Sequence, residues 1–381
     1  MIYFDCASTS LQKPPEVVEA VSDAIKAFGN PGRGTHKAAL TASRCIFQTR
    51  KAVSKFFNSS VERTIFTSGA TESLNIAIFG LLKPSDHVIT TVLEHNSVLR
   101  PLYLLKQKGM QLSFVGIHNN GHTSQLEYDA FERNLQSNTR AVVLTHASNL
   151  TGYVVDIEFV ADFCKKHGLL LIVDAAQSAG LFDLNVDALC IDAFCFTGHK
   201  GLYGLQGTGG LCLKSDLELS PMKVGGTGTN SFSETHPNIL PEMLEAGTLN
   251  SHGIAGLLAG IEYINQKGIE NIRNRARNLA KQFYESVVTI TNVKVYSSIR
   301  CEHVPIVTIN IGNLDSGEAE YRLANSFDIC VRSGTHCAPL LHKALKTVHQ
   351  GVLRFSFSHF NTEDEVEKGV RAVYEIAKGC G

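Results

Sequence analysis

Between residues 63 and 214 the chain alternates two kinds of hydrophobic pattern. Short, nearly continuous apolar runs recur as RTIFT (63–67), HVITT (87–91), QLSFVGI (111–117), AVVLT (141–145), LLLIVD (169–174), DAFCF (192–196) and GGLCLK (209–214). Amphipathic stretches of helical length separate several of them, such as 96–108 and 156–167. Continuous apolar strands divided by helices predict an α/β fold. Its sheet would be mostly parallel, seven-stranded and covered on both faces. In such a sheet, ligands bind beyond the carboxyl ends of the strands.

The order changes after residue 250. A helical region is predicted over 252–289, followed by VKVYSS, VPIVTINIG, a helix over 316–327, DICVRSG, a short helix near 338–346, VLRFSFS and a last helix. That helix opens on TEDE, a capping-box pattern at Thr362 and Glu365. The reading is a large domain over 15–250 and a smaller C-terminal α+β domain over 251–381. The strip 1–14 is too short to be a domain and is expected to pack on one of the two. Residues 215–250, rich in Gly, Thr, Ser and Asn, read as a long functional loop.

Bulk properties narrow the classes. The chain has 381 residues, 44% hydrophobic and 19% charged, the profile of an ordinary globular protein. Lys+Arg number 35 and Asp+Glu 36, so no charge bias points to nucleic acid or an anionic membrane. No run approaches the roughly 18 continuous apolar residues of a membrane helix. MIYFDCASTS lacks the basic start and apolar run of an export signal, which predicts a cytoplasmic protein with reduced thiols. The sequons at Asn58 and Asn149 then read as accidental. The ten cysteines are scattered with no C-x-x-C pair, and most sit in apolar segments as small hydrophobes.

Several polar residues fall at strand ends. Asp174 closes LLLIVD, where a carboxylate needs a partner: a helix cap or salt bridge on the plain reading, a ligand cation on the functional one. Lys200 follows DAFCF in TGHKGLYG. A lysine is usually a solvated surface group, but burial lowers its pKa and lets its amine condense with carbonyls. In FTSGATESLN, Gly69, Ala70 and Thr71 open a helix whose N–H groups make an anion site. His95 in LEHNSV and Asn149 in SNLTG each have a structural reading of their own. No G-x-G-x-x-G follows a strand and no P-loop occurs, so dinucleotide and P-loop readings lack their parts. An anion site, a lysine, a carboxylate and a flat imidazole at strand ends together suit pyridoxal 5'-phosphate.

With YFDCASTS, GNPGRGTH, FTSGATESLN, EHNS, SNLTG, VDAAQSAG, FTGHKGLYG, EAGTLNSHG, RSGTHCAP and LRFSFSHFNTEDE, the chain resembles the class V aminotransferase family nearly end to end. Within it, the chain is similar to the cysteine desulfurase and selenocysteine lyase branch. The compact RSGTHCA matches that branch's second group.

The resemblance implies the pyridoxal phosphate-dependent transferase fold of type I. Lys200 would carry the cofactor covalently and then move protons. Asp174 would pair with the pyridinium nitrogen, Gln177 would bond the phenolic oxygen, and His95 would stack on the ring and also move protons. Ala70, Thr71, Thr197 and His199 would hold the phosphate, and Thr248 would reach the phosphate of a neighbouring subunit in a homodimer. Arg354 would clamp the substrate carboxylate with help from Asn149. Cys337 would take sulfur from L-cysteine as a persulfide, releasing alanine. Arg332 and His336 would favour its thiolate. L-selenocysteine is the alternative substrate, and a protein or thiol would accept the sulfur.

The chain departs from the pattern at Cys6, where many relatives carry asparagine or serine. LKTVHQGVLRFSFSHF is less typical than the usual glycine-containing run before the arginine, and 223–235 is specific to a subset. Rival readings are a selenocysteine lyase, a cysteine sulfinate desulfinase, a C–S β-lyase or an aminotransferase on the same cofactor. Outside that chemistry stand a metal protein using His336, Cys337 and His342, which lacks a second ligand pair, and a non-enzymatic scaffold.

Overall fold

The structure is a computed structural model that describes every residue except 33, 120–123, 215, 216, 230, 380 and 381. The seven apolar runs form one sheet in the order Thr64–Thr67, Gly209–Leu213, Ala193–Thr197, Leu170–Asp174, Thr139–Thr145, His87–Thr91, Gln111–Val115. Gly209–Leu213 runs antiparallel to both neighbours, and the other pairings are parallel. The strands Ala193–Thr197 and Gly209–Leu213 are buried at every residue, as continuous apolar strings covered on both faces should be.

Helices fill the crossovers. Asn96–Gln107 is capped by the His95 side chain, and Ile157–His167 by Asp156, whose Oδ1 accepts from Phe159 N at 3.0 Å. The helical region predicted over 252–289 is two helices, Ser251–Lys267 and Ile269–Val287, split at Gly268 with φ +84°. The first packs against Pro15–Ala27 and Lys37–Phe56, and the second against the last helix, Glu363–Lys378. A three-stranded antiparallel sheet follows, Val293–Val295, Ile306–Ile311 and Leu353–Ser356. The capping box forms as expected, with Thr362 Oγ1 accepting from Glu365 N and the Glu365 carboxylate accepting from Thr362 N.

The N-terminal strip packs on both sheets rather than one. Ile2–Tyr3 pairs with Ile329–Cys330, and Phe4 enters the aromatic cluster of Phe283, Phe355 and Phe357. Further on, Ser10 donates to His199 O at 3.1 Å and Lys13 to Gly204 O at 2.7 Å, beyond the large sheet.

Among its described residues, 215–250 holds no helix or strand. Its end is pinned by a buried pair. The Arg50 guanidinium meets Glu245 at 2.7 and 2.8 Å, with side chains 8% and 6% exposed. Glu245 Oε1 also accepts from Phe66 N, and Arg50 donates to Thr64 O. Removing one partner strands a buried charge, so Glu245→Ala is expected to cost about 3–5 kcal/mol. A lower urea midpoint with an unchanged slope is the check.

Candidate active site

The carboxyl ends of the central strands open into a cleft of about 720 Å³. Ten of the residues singled out from the sequence line it: Gly69, Ala70, Thr71, His95, Asn149, Asp174, Gln177, Thr197, His199 and Lys200. Ser68, Glu72, Ser97 and Thr145 join them. A second, apolar cavity of about 480 Å³ lies against Lys200 and Gln177 and is lined by Cys6, Tyr203 and Phe357 among others.

The anion end is built by close backbone approach. Helix Ala70–Leu81 starts after Gly69, whose φ of +152° suits glycine. A side chain at Gly209 would meet Gly69 Cα at 2.5 Å, so the strand passes beneath the turn only because it begins with glycine. Thr71 Oγ1 lies 2.8 Å from Ser97 Oγ. The Nδ1 atom of His199 is buried with no hydrogen-bond partner. A helix N-terminus, hydroxyls and an imidazole without a partner fit a phosphate.

The other end carries the lysine. Lys200 is half-buried in the cleft wall, and among the described residues no hydrogen bond or ion pair reaches its Nζ. Burial lowers its amine to about 8, against the pull of Asp174, which favours the cation. Asp174 is 3% exposed and accepts from Ala176 N at 2.9 Å; burial raises its carboxyl. A cationic ring nitrogen would offset that cost. Gln177 donates to Ala7 O at 3.0 Å and retains a second N–H. His95 Nδ1 accepts from Ser97 N at 3.0 Å, so its proton sits on Nε2. Burial, with Lys200 nearby, lowers it to about 4, leaving a flat neutral ring.

Cys337 sits on a loop held against this cleft. Its carbonyl accepts from Asn96 N at 2.8 Å, and the His336 carbonyl accepts from Asn149 Nδ2 at 2.7 Å. His336 and Cys337 both adopt left-handed backbone, φ +47° and +55°. Two such residues in a row store strain, which concentrates at functional sites. Of the described cysteines, Cys337 alone is exposed. Arg332 reaches the same place because its backbone pairs with Arg354 in both directions, at 2.8 and 3.3 Å.

One expectation is corrected. His336 is 8% exposed, its Nε2 lies 3.2 Å from Val352 O, and burial lowers it to about 3. A neutral imidazole supplies no positive charge to a thiolate. His342 turns its Nδ1 to Thr347 Oγ1 at 2.7 Å, and among the described residues no three metal-ligating side chains converge. Thr248 is exposed and does not line the cleft of its own chain.

Sequence reasoning missed Glu94, Asp5 and Ser8. Glu94 is fully buried beside His95 and accepts from Thr91 Oγ1 at 2.6 Å. Burial pushes its carboxyl well above the usual range. Asp5 and Ser8 both contact Arg354.

The buried imidazoles set an acid limit. In the unfolded chain they take protons near pH 6.5. Burial lowers His146 and His199 to about 4 in the fold. Stability is therefore intact above pH 6.5 and lost progressively as pH falls towards 4, on the order of 3 kcal/mol for the fully buried His146 alone. The urea midpoint should drop between pH 7 and pH 5.

The model of the family described as Aminotransferase class-V matches residues 2–368. The chain belongs to this family. Its members are pyridoxal phosphate enzymes, and the large, mostly parallel sheet is that of their type I fold. A curated class-V relative, named probable cysteine desulfurase, from Methanothermobacter thermautotrophicus is 33% identical over 99% of this chain and 94% of its own. The apo structure of a cysteine desulfurase from Thermococcus onnurineus NA1 superimposes with a TM-score of 0.90 at 33% identity, covering 99% of this chain and 95% of that one. An Escherichia coli cysteine desulfurase in an S-sulfonic acid form gives 0.88 at 28%, covering 99% and 94%. Among the described residues of this class-V chain, no helix is long and apolar enough to cross a membrane.

Proposed function

We propose that this protein is a pyridoxal phosphate-dependent cysteine desulfurase. It moves the sulfur of L-cysteine onto Cys337 as a persulfide and releases L-alanine. The observation that carries the reading is the Cys337 loop: an exposed thiol, held in strained backbone by Asn96 and Asn149, beside a cleft that contains a half-buried lysine. The named relatives agree with it.

In this reading Ala70, Thr71, Thr197 and His199 hold the cofactor's phosphate, Asp174 its ring nitrogen, Gln177 its phenolic oxygen and Lys200 its aldehyde carbon. The coenzyme's contribution when bound is an electron sink for charge at the substrate Cα. Lys200 takes the Cα proton, which requires its amine uncharged; burial already brings it to about 8. His95 closes one face of the ring and presents its Nε2 proton. Arg354 and Asn149 orient the substrate carboxylate. The Cys337 thiolate attacks the substrate sulfur; the S–S bond forms, the Cβ–S bond breaks, and Cβ gains a proton. Cysteine and one enzyme thiol thus become alanine and one enzyme persulfide, with all atoms retained.

The apolar groups that the single chain leaves exposed support a homodimer. Val18 and Ile25 project from one long helix, and Leu40 and Phe47 from the next. The exposed Thr248 fits a role at a partner's phosphate. A two-domain division over 15–250 and 251–381 belongs to the same reading: one apolar cluster is drawn from residues 65–244 and one from Phe4 with 279–377, while the largest, from Ala7 to Val352, packs the two together. A protein or thiol acceptor, a cytoplasmic setting and action on L-selenocysteine belong to the same proposal.

The test is to supply L-cysteine and a thiol reductant to the cofactor-loaded protein and measure both products. Equal amounts of alanine and sulfide are expected. Pyruvate and ammonia in place of alanine would replace this reading with a β-lyase.

A further inference from the structure

The guanidinium proposed to clamp the substrate carboxylate is already occupied. Arg354 Nη2 donates to Asp5 Oδ1 at 2.9 Å and to Ser8 Oγ at 2.7 Å, and Nη1 donates to Asn149 O at 3.0 Å. Ser8 Oγ also donates to Asp5 Oδ1 at 2.7 Å, closing a triangle. The Arg354 and Asp5 side chains are 3% and 15% exposed. The Arg354 Nε is buried without a partner.

A guanidinium offers a carboxylate two two-point edges: Nε with Nη2, and Nη1 with Nη2. Both edges need Nη2, and both Nη2 hydrogens are committed here. The unclaimed hydrogens, on Nε and Nη1, do not share an edge. A bidentate carboxylate can therefore land only by removing Asp5 or Ser8 from Nη2.

We infer that Asp5 is a resident carboxylate ligand of Arg354 that competes with the α-carboxylate of the amino acid substrate and sets the protein's affinity for it. This rests on reading Arg354 as the substrate clamp. Asp5 cannot withdraw far, because Phe4 O accepts from Ser356 N at 2.7 Å and Phe4 is locked in the aromatic cluster. When the substrate lands, Asp5 gives up a hydrogen bond and stays close as a like charge. With no substrate present, it neutralises a guanidinium that would otherwise be buried unpaired. The result is weak holding of every α-carboxylate, the product's included.

The test compares L-alanine and L-alaninamide, which lacks the carboxylate, binding to the cofactor-loaded protein and followed by visible absorption. Asp5→Asn keeps the accepting oxygen and removes the charge. It should bind L-alanine about tenfold tighter while alaninamide is unchanged, and KM for cysteine should fall with little change in kcat. Ser8→Ala, which frees one Nη2 hydrogen and keeps the charge, should tighten L-alanine by about threefold. Arg354→Ala should erase the preference for alanine over its amide. If it does so while Asp5→Asn binds alanine no more tightly, Asp5 is only structural and the inference fails alone. If Arg354→Ala keeps the preference, the clamp reading falls and takes the inference with it. Should Asp5→Asn not fold, an absence of tightening in Ser8→Ala overturns it.

Discussion

Replacing Lys200 by alanine is expected to leave a folded protein that no longer retains pyridoxal phosphate covalently and turns over L-cysteine at least about a thousandfold more slowly. Two properties of the site drive this. The amine is half-buried in the cleft wall, and among the described residues it has no bond that would hold it elsewhere. Burial lowers it to about 8, so about a tenth is neutral at pH 7, whereas an ordinary lysine has well under a thousandth. Lys200→Arg should fail as completely, because a guanidinium stays charged. In the wild-type apoprotein, cofactor uptake should rise with pH through about 8, since only the neutral amine attacks an aldehyde. Uptake that is flat from pH 7 to 9, or a yellow and active Lys200→Ala, would remove this lysine from its place.

Cys337→Ala should abolish sulfur release from L-cysteine, by at least about a thousandfold, in a protein that stays yellow and stable. The side chain is exposed, so its truncation leaves no cavity. The left-handed backbone at Cys337, φ +55°, burdens alanine about as much as cysteine. Cysteine sulfinate is the informative control. Its leaving group departs without a thiol to accept it, so the variant should still release alanine from it. Sulfide production from cysteine at the wild-type rate would end the persulfide mechanism and move the protein to β-lyase or transaminase chemistry.

The central sheet was legible because its signal is local. Each strand is an unbroken apolar run, so existence and order could be read off, and most bounds agree within a residue or two. Thr139–Thr145 extends two residues earlier than AVVLT because Thr139 pairs with His87, with Arg140 at the irregularity before Ala141 pairs with Val88; polar side chains do not forbid such pairing. The same locality made Asp174 and Lys200 visible at strand ends. The remainder depends on residues far apart in the chain. Nothing near Asp5 announces that it will meet Arg354, a separation of 349 residues. His336 read as a cation beside a thiol, and only burial shows it neutral. Nothing in the sequence around Glu94 marks it as buried, and only the fold closes around it.

The first ten residues also impose a schedule on biosynthesis. They are made well before their partners: Ile2 pairs with Ile329, and Ala7 N and the Asp5 carboxylate each bond across 349 residues, to Ser356 and Arg354. The large sheet can close on itself once about residue 213 has emerged. The anionic ligand of Arg354 cannot take its seat until strand Leu353–Ser356 exists. A nascent chain can therefore hold a formed cofactor cleft while its substrate side is still unassembled, and enzymatic competence should appear in one step once that strand has emerged.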